Sequence, residues 1–187
     1  MSGRSPDPLV RFRNGDPQGF EDLTASMGPR LLGFFQRCGA EPGLAEDLTQ
    51  HVFLRVLQGI GRYRATGRWE SWLLRIARHL WIDHCRRRRP ASSGAALEEA
   101  PDSAPGPPER ASLSERAARI REIFCELDPA SRELLELTVF QQLPYRDVAD
   151  LLGIPVGTVK SRVFYTLRRM RERADALAPD PKPTARP

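Results

Sequence analysis

Apolar residues along this chain recur at the three- and four-residue spacing of α-helices, and no segment shows the two-residue alternation of a half-buried strand. Phe20, Leu23, Met27, Leu31, Phe34 and Phe35 follow Asp16-Pro17, an N-cap with proline at the first helical position, and predict one or two helices over 17–38. Leu44, Leu48, Val52, Val56 and Ile60 repeat every fourth position and predict a helix over 43–60, with Glu46, Asp47 and Gln50 on its other faces. A third helix is predicted over 69–89, its buried stripe formed by Trp69, Trp72, Leu73, Ile76, Ala77 and Leu80.

Four shorter helices are predicted further on. Ser112 with Glu115 has the form of a capping box. Asp128-Pro129 caps a helix running to about Gln142, Pro144 starts a third that Gly153 stops, and Pro155 starts a fourth. The two groups of helices are separated by PASSGAALEEAPDSAPGPPERA, which has no aromatic and no β-branched residue and so cannot bury enough apolar surface to offset its ordering. The expected fold is therefore all-α: two small helical domains joined by a flexible linker, the second a helix-turn-helix domain. The expected boundaries are an N-terminal arm at 1–14, a first domain at 15–89, the linker at 90–111, a second domain at 112–176 and a disordered tail at 177–187.

Charge sharpens this picture through its placement. The 187 residues carry 29 Lys plus Arg against 24 Asp plus Glu, a net charge of +5 that points toward an anionic partner. The linker is acidic, with Glu98, Glu99, Asp102 and Glu109 against Arg110, and both flanking segments are basic.

In the second domain, PYRDVADLLGIPVGTVKSRVFYTLRRMRE reads as a short helix, a turn at Gly153-Ile154-Pro155 and a longer basic helix. Ala149, Gly153 and Val159 hold the positions of a close crossing, a turn glycine and an apolar anchor. With Val159, Val163 and Leu167 facing inward, Thr158, Lys160, Ser161, Arg162, Phe164, Tyr165 and Arg168 fall on the flanks and outer surface. Lys160, Ser161, Phe164 and Tyr165 are the candidates for base readout in a major groove, and Arg162 and Arg168 those for phosphate contact. A plain solvated basic face is the alternative for the same residues.

In the first domain, the segment 62–89 carries nine Arg against Glu70 and Asp83, with Tyr63, Trp69, Trp72 and Trp81 interleaved. Arginine attracts phosphate and an exposed ring stacks on an unpaired base, a combination suited to separated strands. Trp69 and Trp72 sit at core spacing, so Tyr63, in a loop, is the stacking candidate.

Other functions find little support. Cys38, Cys85 and Cys125 are far apart, and His51, His79 and His84 have no metal-ligand spacing, so neither a disulfide framework, a metal nor a cofactor is expected, and a reducing cytoplasm fits. No stretch approaches the ~18 to 20 apolar residues of a membrane span. Asp47, Asp83 and Asp147 lie on separate helices and no phosphate-binding glycine loop is visible, which speaks against an enzyme. A stand-alone helix-turn-helix regulator is the nearer rival, although the first half lacks the α/β pattern of a receiver or ligand-binding domain.

AEDLTQHVFLRVL, WESWLLRIARHLWIDHCRRRR and LPYRDVADLLGIPVGTVKSRV, in that order, resemble the extracytoplasmic-function (ECF) sigma factors of bacterial RNA polymerase. The resemblance implies a factor that binds core polymerase, through the clamp helices and flap of its large subunits, and directs initiation at promoter DNA. It implies that Asp47, Gln50, His51 and Leu54 meet the clamp helices, that Tyr63, Arg64, Arg68, Arg75, Arg78 and His79 lie at the minus-10 element, and that the helix from Pro155 reads minus-35. An acidic residue is frequent in the family at the place of His51, Asn at that of His79, and an Arg-Ala-Arg run at that of Tyr165-Thr166-Leu167. It further implies that the linker threads toward the RNA exit path, and that an anti-sigma protein clamps the two domains.

Overall fold

The structure, a computed structural model, describes residues 7–88 and 111–176, the side chains of 111–117 excepted. Residues 90–110 of the linker expected at 90–111 and the tail at 177–187 lie outside the described residues, as does the capping expected of Ser112 and Glu115. Among the described residues there are eight α-helices and no strand.

The first domain comprises α1 (Pro8–Arg13), α2 (Gln18–Arg37), α3 (Pro42–Gly59) and α4 (Trp69–Arg88), with a 3-10 turn at Ile60–Arg62. Leu31, Phe34 and Phe35 of α2 meet Leu48, Val52 and Val56 of α3 and Leu73, Leu74 and Ala77 of α4 in a core where nearly every one of these side chains is fully buried. Each large apolar side chain so buried contributes on the order of 1.5–3 kcal/mol. Trp69, Trp72, Ile76 and Leu80 pack half-buried against this core.

The segment expected to be an arm differs from that expectation. Pro8–Arg13 is a helix whose Leu9 is fully buried, so the first domain begins before residue 15. Asp7 caps it, accepting from the amides of Leu9 at 3.0 Å and Val10 at 3.4 Å. Gly19 lets α1 cross α2 closely, because a Cβ there would stand 2.6 Å from the Pro8 carbonyl oxygen. Sequence could have found this helix: Asp7-Pro8 repeats the motif of Asp16-Pro17 and Asp128-Pro129.

The second domain comprises α5 (Ala111–Cys125), α6 (Pro129–Leu135), α7 (Tyr145–Leu152) and α8 (Val156–Ala176). The helix expected to run to Gln142 changes pitch at Glu136–Phe140, a π turn closed by the Gln141 amide donating to the Glu136 carbonyl at 2.9 Å. Gln142 then adopts a φ of 53°, the left-handed region, and turns the chain toward α7. The π turn and the residue that closes it contribute two fully buried polar side chains, Glu136 and Gln141. Both meet partners from the other domain, so the two domains lie against each other.

Candidate nucleic-acid interface

Gly153 ends α7 in the left-handed conformation, φ 68° and ψ 33°, and its amide and that of Ile154 both donate to the Ala149 carbonyl, at 2.9 and 3.1 Å. Val148, Ala149 and Leu151 of α7 are buried with Val159 and Val163 of α8, as a helix-turn-helix requires.

The inward register of α8 departs from expectation beyond Val163. Thr166 is buried and Leu167 is 43% exposed. At about 100° per residue, Thr166 lies roughly 20° from Val159 around the helix and Leu167 roughly 80° away, so a strict four-residue spacing drifts off the buried face. Met170 continues the true stripe.

Lys160, Ser161, Arg162, Phe164, Tyr165 and Arg168 are exposed, and Thr158 is half-buried. Phe164 and Tyr165 are 62% and 59% exposed, their rings edge to face at 5.5 Å. Arg168 donates to Glu172 one turn on at 2.8 Å. The outer face of α8 thus offers cations at its flanks and two rings between them.

On the first domain, Arg64, Arg75 and His79 are exposed, and His79 borders a shallow cleft between α3 and α4 lined also by Arg55, Trp72, Leu80 and Asp83. Trp81 stacks on His84 with ring centroids 5.8 Å apart, and burial, then Arg88 and Arg87, lower the His84 pKa. Tyr63 requires a correction, since the loop ring expected to stack on a base is buried. Its hydroxyl donates to Asp7 at 2.5 Å, its ring packs on Trp72 at 5.0 Å, and Arg13 holds its carbonyl at 2.9 Å. Burial, then the bond to Asp7, push the hydroxyl pKa well above its ordinary value.

Arg68 and Arg78 are occupied as well, by carboxylates of the second domain. Arg68 pairs with Asp147 at 3.2 Å and Asp150 at 2.9 Å, and Arg78 with Glu133 at 2.6 Å. Ser71 donates to Asp147 at 2.6 Å. Beside them, Arg37 grips Glu136 through both Nε and Nη2, the latter at 2.8 Å, and its guanidinium lies 4.5 Å from the centre of the Phe140 ring. Arg30 holds the Gln141 carbonyl at 2.8 Å. These interdomain partners were not foreseen; the one local hint is Glu136, an acid inside the apolar run LLELTVF.

A third surface lies on α3, where Asp47, Gln50, His51 and Leu54 share one exposed face at helical spacing, with Leu54 52% exposed.

A helix-turn-helix with a basic outer face in one all-helical domain, beside an arginine-rich helix in the other, suits the class of DNA-binding transcription factors. Sigma-70 region 2 matches residues 23–91 and sigma-70 region 4 matches residues 117–170. The chain is 32% identical to the RNA polymerase sigma factor CarQ of Myxococcus xanthus over 88% of its length and 94% of that protein. It is 36% identical to the ECF RNA polymerase sigma factor ShbA of Streptomyces griseus over 88% of its length and 92% of that protein. The protein belongs to the ECF sigma factors, a family of transcription initiation factors that are not themselves catalysts. Its fold is similar to that of the sigma factor RpoE of Bartonella quintana, solved with the anti-sigma factor NepR, at a TM-score of 0.69 and 23% identity over 85% of this chain and 98% of that one. It is also similar to CnrH, solved with the cytosolic domain of CnrY, at a TM-score of 0.67 and 22% identity over 91% and 97%.

Proposed function

We propose that this sigma factor binds core RNA polymerase in the cytoplasm, reads promoter DNA at two elements and catalyses no reaction of its own. The observation that carries this is the pairing of a helix-turn-helix, set by Gly153, with a second helical domain whose exposed face is rich in arginine. Lys160, Ser161, Phe164 and Tyr165 of α8 read minus-35 bases, and Thr158, Arg162 and Arg168 meet the backbone. Arg64, Arg75 and His79 lie at minus-10, joined by Arg68 and Arg78 once these leave their carboxylate partners. Asp47, Gln50, His51 and Leu54 dock on the clamp helices, and the second domain on the flap. These roles divide the chain into a minus-10 domain, a linker and a minus-35 domain.

The exposed Leu54 supports the docking role, since it adds apolar area to the face of Asp47, Gln50 and His51 and covering that area with a partner is favourable. The similar sigma factor RpoE of Bartonella quintana was solved with the anti-sigma factor NepR, which supports an anti-sigma regulator here too. No described helix is long and apolar enough to cross a membrane.

Run-off transcription tests the proposal. Core enzyme with this protein is expected to start at a defined site, and neither component alone to do so. Tight duplex binding by the free protein, with no promoter-specific transcript, would instead favour a stand-alone regulator.

A further inference from the structure

We infer that the second domain closes on the first as an autoinhibitory latch, its carboxylates taking the places that DNA phosphates take on Arg68 and Arg78 in the working complex. This rests on the minus-10 role given above to those two arginines.

The chemistry of the interface is one-sided. Arg30, Arg37, Arg68 and Arg78 come from the first domain, and their partners across the interface are Glu133, Glu136, Gln141, Asp147 and Asp150 of the second. A row of carboxylates spaced along α6, the π turn and α7 thus meets a row of guanidinium groups, and a phosphate backbone has the same complementarity to arginine. Glu136 shows that the fit is built. Its side chain is 1% exposed, and a carboxylate so buried needs a counter-charge, which only Arg37 of the other domain supplies among the described residues. The buried Gln141 amide completes the fit, accepting from Arg30 Nε at 3.2 Å and donating to the Arg30 carbonyl at 3.2 Å and to Glu136 at 2.9 Å.

The same pairs are suited to release. The Arg68–Asp150 and Arg78–Glu133 pairs are partly exposed, so each is weak singly and screened by salt, whereas Asp147 is buried and is held by both Arg68 and Ser71. A partner that separates the two domains frees both arginines together. Closure therefore lowers DNA affinity of the free protein without any further molecule.

The test uses the full chain. Glu133→Gln/Asp147→Asn/Asp150→Asn removes the carboxylates from Arg68 and Arg78 and leaves every proposed DNA-binding residue in place. A control with the same change of charge away from the interface is Glu41→Gln/Glu46→Gln/Glu122→Gln. The probe is a short fluorescein-labelled single-stranded oligodeoxynucleotide of mixed sequence, followed by anisotropy, with the radius of gyration measured in parallel by small-angle scattering. The interface variant is expected to expand and to bind the probe on the order of tenfold tighter than wild type, whereas the control stays compact and binds little tighter.

Equal tightening in the two variants, or an interface variant as compact as wild type, would overturn the latch. The charge swap guards against a folding artefact: Glu133→Arg alone should expand the protein, and adding Arg78→Glu should restore the wild-type radius. A swap that stays expanded also counts against the latch. These arms contain no polymerase, and run-off transcription does not depend on closure, so the initiation role and the latch can fail separately.

Discussion

Arg162→Ala isolates the electrostatic part of minus-35 binding. Arg162 is exposed on α8, and among the described residues no ion pair engages it, whereas Arg168 is tied to Glu172 at 2.8 Å. Alanine is a good helix former and the position is solvated, so folding stability should change by less than about 0.5 kcal/mol. Taking one guanidinium away from a DNA phosphate lowers the slope of log affinity against log salt by about 0.9. Between about 50 and 200 mM salt, a fourfold change, wild type should therefore lose about 3.5-fold more affinity than the variant (four raised to the power 0.9). The assay is anisotropy of a labelled promoter, one at which the holoenzyme starts, titrated with wild-type or variant holoenzyme across that salt range. Substitutions at the minus-35 bases should cost both proteins equally. Parallel salt slopes, or a weakening confined to one minus-35 sequence, would refute the assignment of Arg162 to the backbone.

Leu54→Asp should weaken binding to core polymerase on the order of tenfold or more while leaving the melting temperature unchanged, because Leu54 is 52% exposed and supports no core; pull-down with core enzyme and calorimetry check both halves. Gly153→Ala should cost about 1 kcal/mol and lower the melting temperature of the second domain by roughly 4–8 °C. A Cβ at this position meets no atom within 4 Å, so the whole penalty is that of the left-handed backbone, and Gly153→Asn should cost less. Asp128→Ala removes the cap of α6, where Asp128 accepts from the Ser131 amide at 2.9 Å, and should cost about 1 kcal/mol near neutral pH. The hydrogen bond to Ser131 lowers the Asp128 pKa, so this stabilisation is present above the ordinary carboxyl value and disappears as pH falls through the lowered one. Urea unfolding of the variant and wild type should converge in strong acid.

Much of the fold was legible before the structure, and for a common reason. N-caps such as Asp128-Pro129, the turn glycine at Gly153 and the stripe through Leu48, Val52 and Val56 act between residues a few positions apart, so their physics is written in a short window. The outer face of α8 followed from the same local rule, and failed at Leu167 only because a four-residue spacing overshoots the helical period. The first helix was equally local, announced by Asp7-Pro8.

The interface between the domains was not legible in that way. Arg68 meets Asp150 across 82 positions, Arg37 meets Glu136 across 99 and Arg30 meets Gln141 across 111, with the linker between. Sequence alone determined that the chain has helices with a basic face in each domain, because capping, periodicity and charge are local properties. Tertiary structure decided that Tyr63 is buried beneath α1 and that Arg68 and Arg78 face carboxylates of the other domain. The partners of a side chain distant in sequence depend on how whole helices are placed, and no spacing rule within one segment encodes that.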